Sequence, residues 1–257
     1  FGSYFGLPDL FDTRSGASGI GRFGLMDGQS IFSWNGAFPP SPSAWERIFL
    51  GWVQPVEVAA GDSVYTFPAT SLAGAADVVY KVLISAKEYF LLENRNRDAQ
   101  HDGSTITIAR GGPPVKKTWL RDTTGFNSAN QDSLYGVVVD VDEFDWSLPG
   151  GVNSRTHELF NGGILIWHIN ENVIDARIAA DAVNADPSHR GVSLMEADGS
   201  QDIGQTYGFL SAGSGSENGT ARDFWFQGNT APLRVKSNEF SPTSIPSSRS
   251  SSQANSH

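Results

Sequence analysis

Near the start of the chain, Gly6 and Asp9 stand three residues apart behind Phe1-Gly2-Ser3-Tyr4-Phe5. They fit the last two places of the pattern H-E-x-x-H-x-x-G-x-x-(H/D). In that pattern two His at i and i+4 share a helix face, Gly turns the chain, and a third metal ligand follows. A zinc ion held in this way polarises a carbonyl and acidifies its bound water, and the Glu after the first His takes the proton. The register puts Ser3 where the second His belongs, and it calls for a His-Glu pair directly before Phe1, so the chain reads as a fragment entered in mid-motif. Asp9 is then a candidate third zinc ligand, or else the cap of a Pro-Asp turn after Pro8. Glu93 is an alternative ligand from a later element, or the partner of Arg95 or Arg97 in an ion pair at a strand end. A neutral hydroxyl is a poor zinc ligand beside imidazole, so the expected site is weak or without metal. Nothing near Ser3 supplies the base that a serine nucleophile would need.

Two acidic runs suit a harder ion. Asp198-Gly199-Ser200-Gln201-Asp202 sets two carboxylates around a Gly turn, and Asp140-Val141-Asp142-Glu143-Phe144-Asp145 alternates carboxylates along an extended segment. Oxygen ligands in a flexible loop are what calcium binds, so Asp198 and Asp202 are candidate calcium ligands, with Asp140 and Asp142 as further candidates. A solvated acidic face is the alternative for each. His168 ends an apolar run, Ile164-Leu165-Ile166-Trp167, and reads as a structural imidazole bonded at a strand end or as the orienting partner of a carboxylate. His101, His157 and His189 lie in polar loops.

These residues need a scaffold. Ser43-Ala44-Trp45-Glu46 has the form of a capping box, which predicts a helix to about Leu50 with Trp45, Ile48 and Phe49 on one apolar stripe. Runs at 63–67, 78–84, 89–93, 134–141 and 163–169 predict strands, and Glu171 to about Ala180 predicts a short helix with Val173, Ile174 and Ile178 inward. Burial is expected for Trp45, Phe49, Trp52 and Trp167. Residues 241–257 are Ser-rich without an apolar period, and are expected to be either disordered or an orphaned strand region. The fold class is therefore α+β and β-rich, with few short helices. A boundary near residue 110, at Gly111-Gly112-Pro113-Pro114, separates 1–110 from 111–257, although strands on both sides can share a sheet.

Composition narrows the partners. With 18 Lys and Arg against 28 Asp and Glu, the formal charge is -10. Such a chain repels nucleic acid and anionic membranes and favours cations. Cysteine is absent, which removes disulfides and thiolate metal sites.

Several blocks occur in a telling order: Gly6-Leu7-Pro8-Asp9-Leu10-Phe11-Asp12, Gly21-Arg22-Phe23-Gly24-Leu25-Met26-Asp27, Ser43 to Trp52, Glu88 to Arg95, Gly163 to Ile169 and Arg190 to Gly199. Together they resemble the immune inhibitor A family of secreted bacterial zinc peptidases. The resemblance implies a metzincin-like domain in residues 1–110 running into a β-rich continuation, zinc and protein or peptide substrates, and secretion. It also implies a tight turn that packs Met26 beneath the metal; an ordinary buried Met is the alternative. The function it implies is endopeptidase chemistry, with this chain itself inactive because of Ser3. The rival is a pseudopeptidase or adhesive module that binds protein or glycan, for which exposed aromatics such as Trp225 would serve.

Overall fold

The computed structural model describes residues 2–28, 36, 38–59, 63–72, 76–119, 136–152, 159–208, 210–211, 213–229 and 239–251. The fold is mixed α+β, rich in strands, with few and short helices. In chain order the strands are β1 (Val56–Glu57), β2 (Tyr80–Ser85), β3 (Glu88–Asn96), β4 (Ser104–Ala109), β5 (Val115–Trp119), β6 (Val137–Val141), β7 (Gly151–Val152), β8 (Leu159–Phe160), β9 (Gly162–Asn170) and β10 (Val192–Leu194). The helices are α1 (Ala44–Phe49) and α2 (Glu171–Arg177). A central sheet has the order β1-β2-β3-β9-β10, a second sheet has β5-β4-β6, and β7 pairs with β8.

The long antiparallel ladder of β3 and β9 is the spine of the central sheet. Residues directly opposite one another share a face. Tyr89, Leu91, Glu93 and Arg95 of β3 therefore lie with Ile169, Trp167, Leu165 and Gly163 of β9, while Phe90, Leu92 and Asn94 lie with His168, Ile166 and Ile164 on the other face. Both faces are covered. The first meets the main core of Leu10, Ile20, Phe23, Trp45, Leu148, Val192 and Phe224. The second meets Ala197, Trp225 and Phe240. This explains why neither strand shows a clean apolar-polar alternation, since only a sheet with one face in water does so. The second sheet turns Ile106 and Ile108 onto Phe38, Phe144 and Trp146.

The capping box forms as the sequence predicts. The Ser43 hydroxyl accepts from the Glu46 amide at 3.3 Å, and Glu46 Oε2 accepts from the Ser43 amide at 2.5 Å. The buried Glu46 carboxylate also accepts from the amides of Leu25 (3.1 Å) and Met26 (2.7 Å), which ties the start of α1 to the Leu25-Met26 turn. One buried carboxylate thereby satisfies three backbone donors.

Glu93, fully buried, links α1 to the spine. Its Oε2 pairs with Arg47 at 3.0 Å, and its Oε1 accepts from the Trp167 indole at 2.7 Å and from the Ala44 amide at 3.3 Å. Arg95, on the same face, lies 3.8 Å from Glu93 and 2.6 Å from Asp145. The cation at Glu93 is thus chiefly Arg47, from a helix in another part of the sequence.

Some expectations fail for definable reasons. Trp45 and Trp167 are buried, but Phe49 is 40 % exposed and Trp52 is 61 % exposed. α1 has only six residues. Phe49 closes its last turn against Trp45 at 5.2 Å and leaves its outer face in water. Trp52 follows Gly51, whose φ of +72° turns the chain away from the core. Residues 63–67 run without a strand partner, and Val64 is exposed. Trp225, expected as an exposed aromatic, is 7 % exposed and donates its indole N–H to the Met195 carbonyl at 2.9 Å. In the Ser-rich tail, residues 239–251 make turns rather than a strand, and they are held by Phe240 on Phe90 and by the Ser251 amide on Glu88 (2.6 Å). The pairings of β3 with β9 and of β4 with β6 both cross residue 110, so residues on the two sides share sheets.

Replacing Glu93 by Ala leaves the buried Trp167 indole without its acceptor and strips Arg47 of its buried carboxylate, leaving it Asp77 (3.0 Å) and the Pro42 carbonyl, and is expected to cost about 3 kcal/mol in urea unfolding. Trp52→Ala, at an exposed position, is expected to change stability by no more than about 0.5 kcal/mol.

Candidate functional site

At the amino-terminal end, Ser3–Phe5 makes one 3-10 turn closed by Gly6. Gly6 sits at φ +86°, and its amide donates to the Ser3 carbonyl at 3.1 Å. A side chain in that left-handed conformation would be strained. Met26 packs against this turn: a Cβ added to Gly2 would stand 2.3 Å from the Met26 sulfur. Ser3 itself faces solvent. Asp9 donates its amide to Asp181 Oδ1 at 2.7 Å, and burial, then the facing Asp181 charge, raises the Asp9 pKa. Glu93 is committed to Arg47, Trp167 and Ala44, as described above. Among the described residues, no group of three His, Cys, Asp or Glu ligand atoms contains Asp9, Glu93 or a His. Asp9 and Glu93 thus do not converge with other such side chains of the described residues on one zinc ion.

His168 is tied to Glu88, with Nε2 at 2.8 Å from Oε1. Burial lowers its pKa against the opposing effect of Glu88. The neutral ring then donates Nε2–H to a carboxylate that also accepts from the Ser251 amide, an arrangement that anchors the tail segment on the sheet. His168 borders a cavity of about 170 Å3, whose lining includes His189, Arg190 and Glu196. His101 and His189 are exposed, and His157 lies outside the described residues.

The strongest concentration of charge lies beyond β10. Backbone hydrogen bonds assemble it. The Met195 amide donates to the Ile166 carbonyl (2.8 Å), which extends the sheet edge up to Glu196, and the Ala197 amide donates to the Asp223 carbonyl (3.1 Å), which brings a segment from far along the chain alongside. One ligand oxygen each from Glu196, Asp198 and Asp223 then lie within 4.8 Å of one another. Oxygens on opposite sides of a calcium ion are about 5 Å apart, so one ion can span all three.

Hydrogen bonds hold these groups without neutralising them. Glu196 accepts from the amides of Asp202 (2.8 Å) and Ile203 (3.1 Å) and from the Ser200 hydroxyl (3.1 Å). Asp198 accepts from the Ser200 amide and hydroxyl, and Asp223 from the Thr220 amide and hydroxyl. Asp202, 5 % exposed, accepts at Oδ2 from Tyr207 and Ser216, while its buried Oδ1 has no partner. Among the described residues no Lys or Arg forms an ion pair with any of these four carboxylates. Arg190, which feels the Glu196 charge, gives one guanidinium nitrogen to the carbonyls of Ser18 and Ile203 instead. The result is four crowded acids. Burial, with Asp202 and Asp198 beside it, pushes the Glu196 carboxyl up to about 7. Burial, then Glu196 and Asp198, pushes Asp223 well above the usual carboxylate range. Gln201 adds backbone strain at φ +49°.

The structure therefore brings Asp198 and Asp202 into one acidic centre and joins to them two carboxylates, Glu196 and Asp223, that were not singled out from the sequence. Glu196 was legible as the i-2 neighbour of Asp198 on an extended stretch. Asp223 carried no local signal. Of the other run, Asp140 is exposed on β6, and Asp142 is occupied by the amides of Thr105 and Phe144.

No family model, no curated protein and no solved structure matches the chain. No helix among the described residues is long and apolar enough to cross a membrane.

The acidic centre makes a prediction whose sign changes with calcium. An acid whose pKa is raised on folding binds its proton more tightly in the native state, so without cations stability falls as pH rises from about 4.5 to about 7. In excess chelator the melting temperature should therefore drop across that interval. Calcium at ~100 times its Kd adds about 2.7 kcal/mol, or about 5–10 °C, at neutral pH. Asp223→Asn should raise the melting temperature in chelator, because it removes a repelled buried charge, and should remove the share of the calcium gain that this centre supplies, about 2.7 kcal/mol at ~100 times its Kd. Thermal melts of both proteins with and without the ion check this.

Proposed function

We propose that this chain is a calcium-stabilised, β-rich portion of a secreted zinc endopeptidase of the immune inhibitor A kind, serving as scaffold rather than as catalyst. The observation that carries the calcium part is the centre of Glu196, Asp198, Asp202 and Asp223, where crowded carboxylates form no ion pair with a Lys or Arg among the described residues. An ion bound there fastens the Asp223 segment to the edge of β10, and through the Ile164–Trp225 bridge to the spine.

The peptidase part rests on the order of the sequence blocks. It draws support from the Ser3–Gly6 turn seated on Met26, an arrangement in keeping with a metal site above that turn. Hydrolysis within these residues is not proposed, because Ser3, Asp9 and Glu93 present no zinc-binding set. The adhesive alternative loses Trp225, which is buried in the second face of the sheet, and keeps Trp52 as an exposed aromatic.

Incubated with casein or gelatin, the purified chain is expected to release no peptides, and after dialysis it should retain much less than one zinc per chain. Stoichiometric zinc together with chelator-sensitive proteolysis would overturn the scaffold reading.

A further inference from the structure

A second cluster of carboxylates gathers at the turn between β3 and β4. Asp98 and Asp102 belong to this turn, and Glu143 comes from the segment after β6. One ligand oxygen from each lies within 4.8 Å of the others. Three backbone hydrogen bonds hold the two segments side by side: the Asp145 amide to the Arg97 carbonyl (2.8 Å), the Asp142 amide to the Thr105 carbonyl (3.1 Å), and the Gln100 amide to Glu143 Oε1 (3.2 Å). The Gly103 amide closes the turn on Asp98 Oδ2 at 3.0 Å.

An acidic turn by itself is ordinary surface. What sets this one apart is Asp98, which is 8 % exposed and whose other oxygen, Oδ1, is buried with no hydrogen-bond partner. Burying a carboxylate oxygen without a donor is costly, because it surrenders its hydration for nothing. No Lys or Arg among the described residues forms an ion pair with Asp98, Asp102 or Glu143. A cation at the point where the three carboxylates converge would supply the missing partner. The carboxyls of Glu143 and of neighbouring Asp142 are both raised, first by burial and then in part by the surrounding acids, as crowded negative charge requires.

We infer that Asp98, Asp102 and Glu143 bind one calcium ion, which pins the β5-β4-β6 sheet to the end of β3. Three carboxylates in a loop, with water completing the shell, suit calcium's long and adaptable coordination. Magnesium demands shorter bonds of about 2.1 Å in strict octahedral geometry and should compete poorly. This site is independent of the centre at Glu196 and of the peptidase reading, since it shares no residue with either.

The test uses the whole chain, stripped of metal and titrated with calcium chloride in a calorimeter. Asp198→Asn with Asp223→Asn removes the other centre, and the remaining binding is expected at one ion per chain. Adding Asp102→Asn, an exposed position that folding tolerates, should weaken that binding by roughly tenfold or more, because calcium affinity follows the number of charged ligands. Hydrogen exchange gives a second readout in the wild type: the amides of Gln100 and Gly103 should be slowed by calcium, and Asp102→Asn should remove the slowing. A background protein that folds by circular dichroism yet binds no calcium would overturn the inference. So would unchanged affinity on adding Asp102→Asn, or amides in the turn that ignore the ion.

Discussion

Glu93 is enclosed at the middle of β3 with no exposed surface, and most of the molecule is arranged so that it can be there. A buried carboxylate is tolerated only when its oxygens are paired and hydrogen-bonded. Here three partners are drawn from two other elements: the Arg47 guanidinium and the Ala44 amide from α1, and the Trp167 indole from β9. The central ladder cannot shift register by one residue without turning Glu93 to the other face. α1 cannot leave without exposing it. The short helix, the spine and the main core are thus held in one arrangement by a single side chain that apolar packing alone would not have placed.

The same demand is met differently elsewhere. Arg95 pairs with Asp145, and Arg97 donates to the carbonyls of Trp146 and Leu148. Buried charge along the end of β3 is therefore balanced within the protein, and the Asp145 segment is drawn against the spine. At Glu196, Asp198, Asp202 and Asp223, and again at Asp98, Asp102 and Glu143, acids gather without an ion pair to a Lys or Arg among the described residues. The two patterns meet at consecutive residues, Arg97 and Asp98. Internal ion pairs hold the middle of the structure, and unanswered carboxylates mark the places where loops from distant parts of the chain meet. A divalent ion bound at such places would do what a disulfide does in a chain that has cysteine.

Glu46 shows how a local motif acquires a wider role. As the fourth residue of a capping box it satisfies the start of α1, and by reaching the amides of Leu25 and Met26 it also fixes the turn that supports Gly2 through the Met26 sulfur. The amino-terminal turn thus rests on α1, which rests on Glu93. His168 plays a comparable part on the other face of the sheet, where its bond to Glu88 joins the hold that the Ser251 amide has on the tail.

Local interactions were readable from the chain alone because their partners are close in sequence. The capping box at Ser43 and Glu46, the helix after Asn170, the strands around 78–96 and 163–169, and the acidic turn at Asp198 and Asp202 depend on neighbours within a few positions. Burial of Trp45 and Trp167 followed from the same patterns. Phe49, Trp52 and Trp225 did not, since the exposure of a large side chain depends on what lies across from it rather than on its own periodicity. Glu93 and Arg95 could be paired on paper, but its chief partner proved to be Arg47, forty-six residues away. Asp223 beside Glu196, and Glu143 beside Asp98, likewise come together only through sheet pairing and long-range backbone hydrogen bonds. Chemistry set by neighbours along the chain is written in residue order; chemistry that needs several charges at one point in space exists only once the fold has brought distant segments together.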